Sequence, residues 1–287
     1  MNMTSSPPPY RPFRGADPPH FVDREDPDDV GGHGIVAASL VAFAAGPCDP
    51  RFHRLVTAGP GMGKTALLRA VGREVADRLG WAVTFHTCQV KERAIRAVSA
   101  EILKTVQRRW PRELSGAVIS SVTSWVALRD LLELAGRLAR AASSGLFVVF
   151  DDADRLSGGE LESLGFLARR LSQEGFPVAL WLSGAASLGD RFVRAGDITE
   201  CVWSTSLARL DGGEAREALV VPAVDRGVEL REEALELLCW RADGIPLELQ
   251  RLGFAAWSAA GGADVVTAAD AMAGLDVLRE GARARAS

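Results

Sequence analysis

The sequence contains few of the residues that build metal centres or disulfide frameworks. Its 287 residues include four cysteines and four histidines, and neither set has the spacing of metal ligands. We therefore expect free thiols in a reducing compartment, and no zinc site. No apolar run has the length of a membrane span, and the N-terminal residues lack the apolar core of a secretory signal. These absences predict a cytoplasmic protein with no membrane partner.

The sequence also has no large excess of positive or negative charge, since the formal net charge is only −4. This balance disfavours a protein that binds nucleic acid over its whole surface. One predicted helix nevertheless carries a basic strip of Lys91, Arg93, Arg96, Lys104, Arg108, Arg109 and Arg112. The strip is typical either of a solvated helix face or of a surface for DNA or an acidic partner, and the sequence leaves both open.

Strand-like and helix-like segments alternate over about residues 55–207. Apolar and β-branched stretches predict five strands, at 53–58, 81–88, 146–151, 178–185 and 199–207. Because helical patterns separate them, we predict an α/β fold with a parallel sheet covered by helices on both faces. Only helical patterns follow residue 211. We therefore predict a disordered, proline-rich tail over 1–19, an α/β domain over 20–210 and a small all-α domain over 211–287.

The segment AGPGMGKT, residues 58–65, fits the P-loop pattern and stands between a predicted strand and a predicted helix. Its glycines let the backbone amides approach an anion, and the helix N-terminus attracts negative charge. Lys64 would neutralise the β- and γ-phosphates, and the Thr65 hydroxyl would ligate Mg²⁺. Lysine occurs at only three positions of the chain, which disfavours an accidental match. We assign nucleotide binding to Gly59, Pro60, Gly61, Met62, Gly63, Lys64, Thr65 and Ala66.

The segment VVFDDAD, residues 148–154, is a buried strand that ends in carboxylates. A P-loop NTPase needs a second strand, which we expect to be adjacent in the sheet, to present an acid to Mg²⁺. Asp151 is the candidate for the metal and Asp152 for the attacking water. The Asp152 side chain is one methylene shorter than the glutamate frequent at this position, so the hydrolysis rate is open. For Asp154 we expect a turn or helix-cap role.

These parts resemble the AAA+ ATPases, in the branch that contains archaeal initiator-type ATPases and STAND signalling NTPases. HFVDRED, residues 20–26, resembles the F-V-G-R-E motif of that branch, with Asp23 in place of glycine. This resemblance implies that Phe21, Val22 and Arg24 lie near the adenine. VALWLSGA resembles the sensor 1 strand, which implies that Ser183 lies near the γ-phosphate.

RADGIPLELQ, residues 241–250, resembles the G-x-P segment of the family's lid. The resemblance implies that Gly244 and Pro246 pack beside the nucleotide. Leu247 and Glu248 follow the proline, so the sensor 2 arginine of other members is absent. Arg191 and Arg194 are candidates for an arginine finger that acts in trans, although a solvated helix face is the alternative for both.

The resemblance covers most of the chain and implies a P-loop NTPase: a three-layer αβα domain with a five-stranded parallel sheet, followed by a helical lid. ATP and Mg²⁺ would bind between the two parts, and hydrolysis would drive assembly or regulate a partner. The expected partners are ATP or ADP and a further copy of the chain or another protein. Two alternatives remain: a nucleotide-gated switch with slow turnover, and a DNA-associated ATPase of initiator or transposition type.

Overall fold

The computed structural model describes residues 8–13, 17–26, 32–89, 94–111, 124–195 and 201–286. The chain divides into two compact units, which we call the sheet unit and the helical unit. The sheet unit comprises residues 25–59 and 67–207, and the helical unit comprises residues 1–24, 60–66 and 208–287. Within the described ranges, no helix combines the length and the apolar character needed to cross a membrane.

A five-stranded parallel sheet forms the centre of the sheet unit, as the sequence predicts. The strands lie in the order β2-β3-β4-β1-β5. Thr57 pairs with Gly184, and Phe150 pairs with Leu182, so the carboxyl ends of three central strands meet at one edge. The strands are β1 Arg54–Thr57, β2 Ala82–Thr87, β3 Leu146–Asp151, β4 Val178–Gly184 and β5 Trp203–Ser206.

The expectation that the acidic strand is adjacent to the strand before the phosphate loop is wrong. β4 lies between β1 and β3 and pairs with both of them. All seven residues of β4 are buried, which is the pattern of a strand at the centre of a parallel sheet. Ser183 is therefore flanked by Val56 of β1 on one side and by the end of β3 on the other.

Helices cover the sheet, and their leucine-rich faces form its main apolar core. The fifth helix begins at a capping box in which Ser157 and Glu160 bond to each other's backbone amides. A 3-10 turn, Ala153–Arg155, connects β3 to that helix. The helices are α1 Ile35–Ala45, α2 Lys64–Leu79, α3 Ala94–Arg109, α4 Trp125–Ala141, α5 Gly158–Gln173 and α6 Ser187–Ala195. Residues 64–66 at the start of α2 belong to the helical unit.

A buried ion pair lies beside the apolar core, where the sequence predicts only an apolar strand. Both terminal nitrogens of Arg54 donate to Asp26 Oδ2 at 2.9 Å, and both side chains are fully buried. The Arg54 guanidinium also lies over the Trp181 ring, 5.2 Å from its centroid. A single charge at this depth would be costly, so the two groups depend on each other.

Four helices form the helical unit around a second apolar core. They are α7 Gly212–Val224, α8 Glu232–Ala242, α9 Pro246–Ala259 and α10 Ala268–Ala286. The prediction of an all-α lid is wrong in one detail, because two short strands, β6 Glu229–Leu230 and β7 Val265–Val266, pair in parallel. Each strand is only two residues long, too short for a periodic pattern to indicate it.

The prediction of a disordered tail over 1–19 is wrong for the described residues around Tyr10. The Tyr10 side chain is 1% exposed, and its hydroxyl donates to the Leu219 carbonyl at 3.0 Å. A Cβ on Gly253 would lie 2.9 Å from the tyrosine ring, so this glycine makes room for it. The pKa of Tyr10 is raised, mainly because the side chain is buried. The buried ring with its satisfied hydroxyl and the Arg11 amide, which donates to Gln250 Oε1 at 3.0 Å, together anchor a segment whose composition favours disorder.

Candidate functional site

The phosphate loop depends on two of its glycines. Gly61 and Gly63 have φ values of +78° and +88°, in the region that favours glycine. A Cβ on Gly61 would lie 3.1 Å from the Cβ of Leu247, and a Cβ on Gly63 would lie 3.3 Å from Arg24 Nη2. Both positions therefore favour glycine for the backbone angle, and an added Cβ would in addition press against a neighbouring side chain.

Arg24 contacts the backbone of the phosphate loop. Its Nη2 donates to the Met62 carbonyl at 2.7 Å, across 38 residues of sequence. Burial, the larger effect, lowers the pKa of the guanidinium, and the nearby Glu214 carboxylate opposes that shift. The same short segment contributes a buried Val22 and a half-buried Phe21. That Phe21, Val22 and Arg24 lie near the adenine stays a prediction.

The G-x-P segment also contacts the loop within the helical unit. Pro246 is the first residue of α9, and the next amide, of Leu247, donates to the Gly61 carbonyl at 3.1 Å. Gly244 has a φ of +68°, and a Cβ there would lie 2.4 Å from the Leu210 carbonyl oxygen. The structure thus brings together three sequence-predicted groups: the phosphate loop, Arg24 and the segment 244–246.

We call two neighbouring segments the acidic edge. They are residues 151–154, which carry the carboxylates at the end of β3, and residues 183–185, at the end of β4. Asp151 is 3% exposed, and its Oδ1 accepts a hydrogen bond of 2.5 Å from the hydroxyl of the buried Ser183. Cys88 lies beside this carboxylate, and burial together with nearby acids raises the pKa of its thiol to about 12. The thiol therefore stays protonated at neutral pH.

Asp152 and Asp154 have different surroundings from Asp151. Asp152 adopts a left-handed backbone with φ 56° and ψ 39°, its side chain is 40% exposed, and Arg155 lies 3.4 Å from its carboxylate. A non-glycine residue in this conformation carries backbone strain. Asp154 does not act as a local turn or cap acid, because its Oδ1 accepts the Ala185 amide at 3.2 Å, after β4.

The two arginines predicted as trans-acting fingers differ. Arg191 is bound inside its own chain, where its terminal nitrogens donate to the Asp154 carbonyl, at 2.5 Å, and to the Leu156 carbonyl. Arg194, one turn further along α6, is exposed. In this conformation only Arg194 of the pair presents its guanidinium to solvent.

The donor set for Mg²⁺ consists of oxygen atoms. Within the described ranges, no group of three or more His, Cys, Asp or Glu side chains could hold a metal by itself. Mg²⁺ with nucleotide usually takes only one or two protein oxygens, and phosphates and waters supply the rest. The Thr65 hydroxyl in the helical unit and the buried Asp151 carboxylate in the sheet unit are each an oxygen donor of the kind that suits such an ion.

Gly184 belongs to the site and has no role in the sequence-based prediction. A Cβ there would lie 2.6 Å from Leu188 Cδ2, 2.7 Å from Asp154 Oδ1 and 3.2 Å from the Asp154 backbone nitrogen. Its φ is not in the left-handed region, so the need for glycine arises from packing alone. The only sequence signal is a glycine at the end of a buried strand, where backbone approach is common.

Comparison with known sequences gives one family. Residues 40–182 match the family described as the AAA ATPase domain. This range includes the phosphate loop, the carboxylates 151–154 and all of β4 except Ser183 and Gly184. Among curated proteins, none has a sequence that matches the chain.

Several solved structures have a similar fold. The ORC1 protein of Aeropyrum pernix, in complex with DNA, has a TM-score of 0.55 at 19% identity, over 85% of this chain and 63% of that one. The Walker-type ATPase of Pyrococcus abyssi has a TM-score of 0.58 at 17% identity, over 93% of this chain and 77% of that one. A RuvB variant of Thermotoga maritima has a TM-score of 0.54 at 16% identity, over 90% and 74%.

These similarities show the fold. The chain spans less than two thirds of the ORC1 chain that it matches. Any assignment of activity to this chain therefore rests on its own residues.

Proposed function

We propose that the chain binds ATP with Mg²⁺ and hydrolyses it, because residues 40–182 match the family described as the AAA ATPase domain. The observation that carries the proposal is the phosphate loop, residues 58–65, with glycines at +78° and +88° just before Lys64. In this geometry backbone amides and the start of α2 form a ready site for phosphate.

In this proposal, the main predicted residues have separate roles. Lys64 binds the β- and γ-phosphates, and Asp152 orients the attacking water. Thr65 and Asp151 hold the metal, which when bound neutralises charge that develops on the phosphates. Phe21, Val22, Gly244 and Pro246 enclose the base and ribose, and Ser183 acts on the γ-phosphate side through Asp151.

Lys64→Ala tests the binding site directly. We expect the affinity for a non-hydrolysable ATP analogue to fall by about tenfold to a hundredfold, since a charge-assisted contact is lost. Lys104→Ala is the matched control, because it removes the same charge from an exposed position that pairs with Glu101. Titration calorimetry measures both, and we expect the control to bind within about twofold of the wild type.

Equal affinity for Lys64→Ala and the wild type would sink the site assignment. Absence of ATP-dependent phosphate release by the purified chain, with binding intact, would reject the hydrolysis part alone.

A switch with slow turnover is a second candidate, and the state of Asp152 favours it. The carboxylate is on a strained backbone and within 3.4 Å of Arg155, so an in-line water has a competitor for it. A single-turnover assay separates the two functions. ATP that stays bound for many minutes indicates a switch, whereas release of phosphate within seconds indicates an enzyme that turns over.

We also propose that nucleotide binding is coupled to self-association or to a protein partner. The exposed Arg194 supports this, because the Arg194 side chain of one copy is free of the fold to approach a nucleotide bound to a second copy. Sedimentation with and without ATP analogue tests the coupling, and an unchanged sedimentation coefficient counts against self-association.

No specific observation favours DNA as the partner. In the predicted basic strip, Lys104 pairs with Glu101 and Arg109 donates to the Gly80 carbonyl. Lys91, Arg93 and Arg112 lie outside the described residues. The matched ORC1 structure contains DNA, and salt-dependent binding of this chain to duplex DNA would be the corresponding finding here.

A further inference from the structure

The Asp151 carboxylate is held by a neighbouring strand, so its orientation depends on how the ends of β3 and β4 are joined. Ser183 donates to Asp151 Oδ1 at 2.5 Å. The strand pairing ends earlier, at Phe150 with Leu182. Beyond that point, ladder hydrogen bonds no longer fix the distance between the two chain segments, and other contacts must do so.

Asp154 makes such a contact. Its Oδ1 accepts the Ala185 backbone amide at 3.2 Å, which links residues 31 apart in sequence. Ala185 follows Gly184, the last residue of β4. The carboxylate thus replaces a missing rung of the sheet, immediately after the Ser183–Asp151 bond.

Arg191 holds the opposite side of the same segment. From α6, its guanidinium donates to the carbonyls of Asp154 and Leu156, which fixes the 3-10 turn at its C-terminal end. Gly184 permits the close approach, since a Cβ there would lie 2.7 Å from Asp154 Oδ1. Three residues from three different elements therefore converge on one turn.

We propose that Asp154, supported by Arg191 and Gly184, is a positioning residue that keeps Ser183 against Asp151 and so orients the carboxylate that binds Mg²⁺. The inference rests on the proposed function, since it assumes that Asp151 serves the metal. Asp154 itself touches neither metal nor nucleotide in this scheme. Its effect passes through one hydrogen bond to a backbone amide.

The pair Asp154→Ala and Asp154→Asn separates this role from direct chemistry. Asparagine keeps a carbonyl oxygen that accepts the Ala185 amide but loses the negative charge, whereas alanine loses both. A positioning residue is rescued by asparagine, while a metal ligand or catalytic acid is not.

The readout is the gain in affinity for a non-hydrolysable ATP analogue when Mg²⁺ replaces EDTA, measured by titration calorimetry. We expect this gain to fall about fivefold to tenfold in Asp154→Ala and to stay within about twofold of the wild type in Asp154→Asn. Amide hydrogen exchange over residues 178–190 gives a readout without nucleotide: faster exchange at Ala185 in the alanine variant, and not in the asparagine variant.

Gly184→Ala provides an independent test with Asp154 intact. The added Cβ would lie 2.6 Å from Leu188 Cδ2 and 2.7 Å from Asp154 Oδ1, so both side chains must shift. From the shift of the Asp154 carboxylate we expect the same loss of the Mg²⁺ gain. Gly189→Ala, in α6, is the matched control, because no atom lies within 4 Å of its added Cβ. Unfolding curves of all variants establish that each one folds.

The outcomes are distinct. Asp154→Ala with an unchanged Mg²⁺ gain would overturn the positioning role, and an equal loss in both Asp154 variants would assign Asp154 to direct chemistry instead. A wild-type chain that binds no ATP analogue would reject the proposed function, and the positioning role with it.

Discussion

The acidic edge uses side-chain carboxylates as hydrogen-bond acceptors, which the contacts described for the phosphate loop do not. In the loop, the contacts made by Arg24 and by the Leu247 amide fall on backbone carbonyls, those of Met62 and Gly61. In the acidic edge, the side-chain oxygens of Asp151 and Asp154 accept hydrogen bonds, and the Arg191 guanidinium donates in addition to the Asp154 carbonyl. The loop therefore depends on where glycines let the backbone go, whereas the edge depends on particular carboxylates.

The two regions should therefore tolerate different substitutions. Side chains without special contacts can change in the loop while its backbone form persists, because the acceptors are part of every residue. A single carboxylate change in the edge removes an acceptor outright.

Gly244→Ala should have the largest effect, because it acts on the backbone that supports the loop. The residue has φ +68°, and a Cβ would lie 2.4 Å from the Leu210 carbonyl oxygen. We expect the free energy of unfolding to fall by about 3 kcal/mol, from the left-handed angle together with the clash. Urea unfolding measures the change, and the affinity for ATP analogue should fall in parallel.

Gly261→Ala is the control for the angle alone. Its φ is +66°, but no atom lies within 4 Å of the added Cβ. We expect a cost of about 1 kcal/mol and unchanged nucleotide affinity. An equal cost for the two variants would show that the contact with Leu210 contributes nothing.

Arg24→Gln tests the side chain that holds the loop. The substitution removes the 2.7 Å bond to the Met62 carbonyl, so we expect the affinity for ATP analogue to fall by about tenfold. Arg226→Gln, at an exposed position of the helical unit, removes the same charge and should bind within about twofold of the wild type.

Arg24→Lys then asks whether charge alone suffices. We expect only partial recovery, since an ammonium group lacks the planar fork that reaches the carbonyl. If Arg24→Gln bound nucleotide as well as the wild type, the loop would keep its form without this side-chain contact. Its form would then depend on backbone geometry alone.

The sequence alone predicts the form of the phosphate loop, because local spacing fixes it. Gly61 and Gly63 have the left-handed backbone angles that favour glycine, and the loop lies between a strand and a helix that the sequence also indicates. The five parallel strands follow from runs of buried residues of strand length, and their number and direction are confirmed.

The acidic edge is less predictable because its contacts cross the sheet. The order of strands, with β4 between β1 and β3, is not encoded in any local pattern. The bond from Asp154 to the Ala185 amide spans 31 residues, and a backbone amide leaves no trace in the sequence. Sequence spacing therefore identifies the carboxylates but not their division of labour, which tertiary packing sets.

Near the acidic edge, Arg191 and Arg194 should differ in their contribution to the free energy of unfolding, and this is the smallest of the expected effects. Arg191→Ala removes two hydrogen bonds to the backbone carbonyls of Asp154 and Leu156, so we expect the free energy of unfolding to fall by about 1–2 kcal/mol. Arg194→Ala removes an exposed side chain and should stay within about 0.5 kcal/mol of the wild type. Urea unfolding measures both.

Turnover should separate these arginines in the opposite sense if a neighbouring copy supplies Arg194. We expect Arg194→Ala to lose ATP turnover with its own stability intact, and to recover part of it when mixed with an Asp152→Asn chain. In such a mixture, one copy provides an intact Asp152 and its neighbour provides an intact Arg194, which together complete one site. Turnover that stays absent in the mixture, with both variants folded and binding nucleotide, would mean that Arg194 acts within its own chain or not at all.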